Sequence, residues 1–196
     1  MGKREDNKQR IKQSIVTNAW QLFSESSFND VKVADIAKAA NISVKTLFTY
    51  FNSKEDIIFD DQEELINIII AKLDDVNQSQ YFTVLEKHII EEFGEDDADL
   101  RDDDTKSLIR MISNNPTISG RLNQMWLEYE YVIRQYLAEK QQLSVNDAQI
   151  TVMSAQLILP YRLLVEHLIM LLTDGHKINL VDLRKWMHEL FITLTK

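Results

Sequence analysis

The sequence predicts an all-α protein, with an N-terminal three-helix head carrying a helix-turn-helix and a C-terminal helical bundle behind it. Three observations carry this. Helix breakers are scarce, with 4 Gly and 2 Pro in 196 residues, while Leu, Ile, Glu, Lys, Gln and Ala abound. Apolar residues return at three- and four-residue spacing along most of the chain. The stretch VADIAKAANISVKTLFTY, residues 33–50, reads as two short helices about a tight turn.

The first helix is expected from about Asn7 to Ser26, with Ile11, Ile15, Ala19, Leu22 and Phe23 as its apolar stripe. Lys3, Arg4, Lys8, Arg10 and Lys12 crowd its start, where cations oppose the helix dipole. Phosphate contact would favour them there, and so would simple solvation. Phe28, in the turn that follows, is expected inside the three-helix core.

Val33, Ile36, Ala37 and Ala40 mark the first motif helix. Asn41-Ile42-Ser43 breaks the pattern, and Val44, Leu47, Phe48 and Phe51 resume it. Asn tolerates the left-handed backbone such a turn needs. Ser43 is a good N-cap, because its hydroxyl can accept from an orphan backbone N–H. A motif of this kind lays its second helix in the DNA major groove.

Asn52 with Glu55, or Ser53 with Asp56, forms a capping box that restarts the helix. One long helix is then expected to about Asn77, the sole covalent link between a head at 1–53 and a body at 54–196. Further helices are expected at about Gln80–Phe93, Thr105–Asn114, Pro116–Lys140, from a cap at Ser144 or Asn146 to Thr173, and Asn179–Leu194. Pro160 should kink the fourth of these, and Gly175 should close it in a left-handed conformation. The acidic run from Gly94 to Asp104 has no EF-hand register and reads as a solvated loop.

The net charge of −9 divides unevenly. Residues 1–55 carry +3 and the remainder −12, so the basic end holds the helix-turn-helix. The lack of Cys excludes disulfides and thiolate zinc sites and fits a cytoplasmic protein. MGKREDNKQR has no apolar run behind its charges, so no signal peptide is expected. The apolar stretch Leu157–Leu172 holds Pro160, Arg162, Glu166 and His167, which suits a buried helix and not a membrane span. There is no Gly-rich phosphate loop, HExxH or G-x-S-x-G. No catalytic residue, cofactor or metal site is therefore assigned; His88 and Glu92 stand at i, i+4 without a third ligand.

The N-terminal stretch resembles the TetR family of bacterial transcriptional regulators. The residues that carry this are Ala19 and Leu22-Phe23, Asp35-Ile36-Ala37, Ala40-Asn41-Ile42-Ser43, Thr46-Leu47-Phe48, Tyr50-Phe51 and Ser53-Lys54-Glu55. They span about residues 10–58. Where the family usually has Gly, Thr-Thr-Val, Gly, a small residue and Tyr, this chain has Ser27, Val31-Lys32-Val33, Asn41, Lys45 and Phe48. The second helix thus lacks its ordinary hydroxyl cap.

The resemblance implies nine helices, matching the nine segments above, and a homodimer with a ligand pocket in the body. It implies a transcriptional regulator, a repressor released from double-stranded DNA by a small-molecule effector. Two other readings stay open: an adaptor or co-activator whose head meets a protein partner, and a helical carrier or enzyme. DNA contacts are expected from Lys32, Ser43, Val44, Lys45, Thr46, Thr49, Tyr50 and Lys54. Pocket walls are expected from Phe93, Met111, Met125, Trp126, Tyr129, Met153, Tyr161 and Arg162, with His88, Glu166 and His167 as further polar anchors. Leu157, Leu164, Leu168, Trp186 and Leu190 are expected at a subunit seam.

Overall fold

The computed structural model describes residues 2–93 and 103–195. It divides into two compact units, Met1–Asp61 and Gln62–Lys196. That division falls later in the chain than Ser53, because the helix beginning at Lys54 packs on the first helix of the head.

The first unit holds α1 (Lys3–Glu25), α2 (Val33–Ala39), α3 (Val44–Leu47) and α4 (Lys54–Ile58). Ile15, Ala19 and Phe23 of α1 are buried with Ile36, Ala37, Leu47, Phe51 and Ile57. These positions follow the 3.6-residue period, so burying one stripe of each helix makes a single core. Phe28 enters it as expected, its ring centroid 5.0 Å from that of Phe23. The side chains of Lys3 and Arg4, two of the cations at the start of α1, lie outside the described residues.

The expected long helix after Lys54 is two helices. Ile57, Ile58 and Phe59 are all buried, and three successive residues of an α-helix spread over some 200° of its circumference. One face cannot bury all three, and the backbone leaves the helical region at Phe59 (φ −109°, ψ 39°). The break frees the Asp60 carbonyl, which accepts from the Lys12 ammonium at 2.8 Å; the Asp60 carboxylate lies 3.9 Å from the same group.

The second unit holds α5 (Gln62–Asp74), a 3₁₀ turn at Gln78–Gln80, α6 (Tyr81–Glu92), α7 (Asp103–Asn114), α8 (Pro116–Gln141), α9 (Ala148–Thr173) and α10 (Leu180–Leu194). Ten α-helices thus occur among the described residues, one more than expected, because of the break at Phe59. Of the acidic run, residues 94–102 lie outside the described residues, and Asp103 opens α7.

α8 and α9 form the central pair, with α6, α7 and α10 packed on α9 and α5 on both α6 and α8. Asn115 caps α8 by accepting from the Thr117 N–H at 3.0 Å, with Pro116 at the first helical position, where its missing donor costs nothing. α9 is capped by Asp147, which accepts from the Gln149 N–H at 2.8 Å. Ser144 and Asn146 do not cap it, because the Ser144 hydroxyl is taken one turn earlier by the Asn146 N–H. α9 continues as a helix through Pro160 and ends at Gly175 with φ 72°.

α9 is not buried all round. Leu157, Ile158, Leu164 and Leu168 face the core, while Val152 and Met170 are exposed and Leu159 and Leu163 half-buried. By length and composition α9 could cross a membrane, yet four helices of its own unit pack on it. The expectation that Leu157, Leu164 and Leu168 sit at a subunit seam needs correcting. Leu157 is 0 % exposed within one chain, so it has no area left to give a partner, and the other two are close behind. Trp186 and Leu190 remain half-buried.

A candidate DNA-reading head

The turn between α2 and α3 is closed by backbone chemistry. Asn41 adopts φ 55°. That lets its N–H donate to the Lys38 carbonyl at 3.1 Å and the Ile42 N–H donate to Ala37 at 2.9 Å. These are the paired bonds of a Schellman motif, which satisfy carbonyls the helix end would leave bare. Two residues later the Ser43 hydroxyl accepts from the Thr46 N–H at 3.0 Å and starts α3. At the head of α2, where a hydroxyl cap is missing, the Asp35 carboxylate reaches back and accepts from the Lys32 N–H at 3.1 Å. This supplies half of a capping box, a compensation that Asp35 at the third helical position made readable.

α3 is short. After Leu47 the bonds tighten to three-residue spacing, Thr49 to Thr46 at 3.0 Å and Tyr50 to Leu47 at 2.9 Å. Leu47 and Phe51 anchor it in the core. On its open side stand Lys45 and Thr49, both exposed, with Val44 39 % and Phe48 48 % exposed. By spacing, Phe48 groups with Leu47 and Phe51. Instead it shares the surface with Val44, one turn away, and makes an apolar pair beside Lys45. Thr46 is half-buried, and its hydroxyl lies 2.8 Å from that of Ser43. The Thr49 hydroxyl donates to the Thr46 carbonyl at 2.6 Å. Lys32 is exposed and Tyr50 half-buried.

Lys54 is placed differently from an outward phosphate ligand. Its ammonium donates to the carbonyls of Phe28 at 2.5 Å and Val31 at 2.9 Å. It also lies 4.0 Å from the centroid of the Phe28 ring. Burial lowers its pKa below the ordinary lysine value, while the Glu55 and Asp30 charges oppose that shift. Lys54 thus pins the α1–α2 loop to the start of α4. The charge balance shifts as well. With Asp56, Asp60 and Asp61 included, the folded unit carries nine cations and nine anions, so its basic character is confined to residues before α4.

Residues 15–60 match the model of the bacterial regulatory proteins of the tetR family. The chain carries a TetR-family head. Solved structures extend the likeness to the whole TetR fold. A TetR-family transcriptional regulator from Syntrophomonas wolfei, itself described as putative, is 17 % identical with a TM-score of 0.61, covering 96 % of each chain. NalD, the secondary repressor of the MexAB-OprM multidrug efflux pump in Pseudomonas aeruginosa, is 11 % identical with a TM-score of 0.55, again over 96 % of each chain. The fatty acid degradation regulator FadR from Bacillus halodurans is 19 % identical with a TM-score of 0.51, over 91 % of this chain and 96 % of its own. No curated protein matches in sequence. The family model covers the head, and the solved structures show the fold of the whole chain.

The residues expected to wall a ligand pocket are spread through the TetR-like body. Met125, Trp126, Tyr129 and Tyr161 are buried; Phe93, Met111, Met153 and Arg162 are half-buried. Trp126 and Tyr129 meet edge to face at 5.7 Å, and the Tyr129 hydroxyl donates to the Gln62 carbonyl. Met153 lines a separate open groove of about 500 Å³ with Gln78, Gln141, Gln149, Val152 and Gln156. Among the described residues no group of three His, Cys, Asp or Glu is placed to hold a metal ion.

Proposed function

We propose that this chain is a homodimeric, cytoplasmic transcriptional repressor that leaves its double-stranded DNA operator when a small molecule binds its body. The observation that carries the reading is the open face of α3, where Val44, Lys45, Phe48 and Thr49 stand exposed on a capped, core-anchored turn. Lys45 offers donors to guanine O6 and N7, and Val44 and Phe48 offer apolar contact to thymine methyl groups. Lys32 and the Tyr50 hydroxyl serve phosphates, which position a head without specifying sequence. Lys54 fastens the head instead.

Dimer formation is supported by the open stripe of α9, Val152, Leu159, Leu163 and Met170, together with Trp186, Leu190 and Ile192 of α10. Two heads would then read half-sites about one helical turn, ~34–36 Å, apart. The effector acts only through different affinities for the DNA-bound and free states.

The test is selection of bound duplexes from random DNA, followed by titration of the winner at several salt concentrations. Lys45→Ala should weaken binding roughly 5- to 100-fold and relax preference at one base pair, the loss expected for one base-reading contact. Unchanged affinity and preference would refute this reading of α3 and return the protein-partner reading to the fore.

A further inference from the structure

Among the buried polar atoms of the body without a hydrogen-bond partner among the described residues, two belong to neighbouring rings: the Tyr161 hydroxyl on α9 and His88 Nε2 on α6. His88 is 4 % exposed and Tyr161 7 %. Their rings lie 6.5 Å apart between centroids. Buried apolar residues stand on the neighbouring turns, Leu85 and Ile89 on α6 and Leu157, Ile158 and Leu164 on α9, with the Glu92 carboxylate at the edge. An unpartnered polar atom is costly in such surroundings, so two together ask for a partner that the described residues do not supply.

The chemistry of that partner follows from the two groups. Burial, with the Glu92 charge, pushes the Tyr161 phenol above its ordinary range, so it keeps its proton. Burial likewise lowers the His88 pKa, against the raising influence of Glu92 and Glu91 and with help from Lys72. A neutral imidazole bears one proton. The Glu92 carboxylate lies 3.8 Å from Nδ1, beyond hydrogen-bond reach, and its negative charge favours the proton on that nitrogen, which leaves Nε2 the acceptor. The pair therefore presents one acceptor and one phenolic donor among buried apolar side chains. A hydroxyl group answers both, since it donates to Nε2 and accepts from Tyr161. A carboxylate has no proton to give Nε2, and would enter a unit whose acidic residues already dominate.

We propose that His88 Nε2 and Tyr161 Oη are the polar anchor of the effector site, and that the effector is an uncharged, largely apolar molecule bearing a hydroxyl, an alcohol or phenol. This rests on the repressor reading and names the class of ligand that would operate it.

Calorimetric titration of the full chain with primary alcohols from propanol to decanol, and with the matching carboxylates, tests it. At least one alcohol should bind saturably and more tightly than its carboxylate. Tyr161→Phe should weaken that alcohol about tenfold, the loss of roughly one hydrogen bond, without lowering the melting temperature, since it removes an unpartnered hydroxyl. His88→Phe should weaken it similarly. Failure of every alcohol, equal or tighter carboxylate binding, or an unchanged affinity in Tyr161→Phe each overturns the proposal. So does a drop in melting temperature in Tyr161→Phe, which points to a structural water between the two groups. The same samples are titrated with the selected duplex. A chain that binds no duplex refutes the repressor reading and leaves the alcohol result standing; a duplex held equally with and without the bound alcohol overturns its role as effector.

Discussion

Replacing Lys54 by Met separates a fastening role from a DNA-contacting one. The variant keeps most of the aliphatic stem and loses the ammonium, which donates to the Phe28 and Val31 carbonyls at 2.5 and 2.9 Å and lies 4.0 Å from the Phe28 ring centroid. Hydrogen bonds to a charged group contribute about 1.5–3 kcal/mol each, and a cation–ring contact adds about 0.5–1 kcal/mol at an exposed site. Lys54 is only half-buried, so water replaces part of what is lost, and a net cost of about 2–3 kcal/mol is expected. Hydrogen exchange read by mass spectrometry resolves this locally, because stability differs between regions of one protein. Peptides within residues 15–60 should exchange roughly 30- to 150-fold faster, since ~1.4 kcal/mol is tenfold, while peptides from α8 and α9 stay unchanged. DNA affinity should fall with no loss of salt dependence. If exchange in the head barely moves and the salt slope drops by about one counterion, Lys54 is a phosphate contact and the fastening argument is wrong.

Asn41 stands at φ 55°, so Asn41→Val should lower the head's stability by about 1–2 kcal/mol, because a β-branched side chain resists the left-handed region. Asn41→Gly should be neutral or slightly stabilising. Equal melting of the two variants would show that the turn does not hold that conformation. His88 and His167 both have pKa values lowered by burial. The unfolded chain therefore takes up protons first as pH falls from about 6.5, and stability declines from there until the folded pKa values are reached. His88→Phe should flatten part of that decline in urea melts between pH 7 and 5; an unaltered slope would mean that His88 does not contribute.

Local signals made much of the head readable. Ser43, Asn41 and Gly175 act where they stand, because caps and left-handed turns depend on one residue and the few N–H and C=O groups around it. The family frame from Ala19 to Glu55 is likewise a matter of spacing, and it places Leu47 and Phe51 in the core by period alone. Other features were settled by which surfaces meet. Phe48 fits the same apolar pattern as Leu47, yet it is half exposed, because a short helix on a small head can bury only one side. Lys54 looks like a surface cation in the sequence, and only the loop folded beneath it turns its ammonium onto two carbonyls. The break at Phe59 arises because the head's core takes three successive side chains. On α9, apolar residues fall on every side of the helix, so periodicity could not say which side faces inward; packing put Leu157 and Leu164 in the core and left Val152, Leu159, Leu163 and Met170 on the open side. The meeting of His88 with Tyr161, 73 positions apart in the sequence, was likewise beyond any local signal. Sequence fixes what each short segment prefers; which preferences are satisfied together depends on distant surfaces competing for the same core.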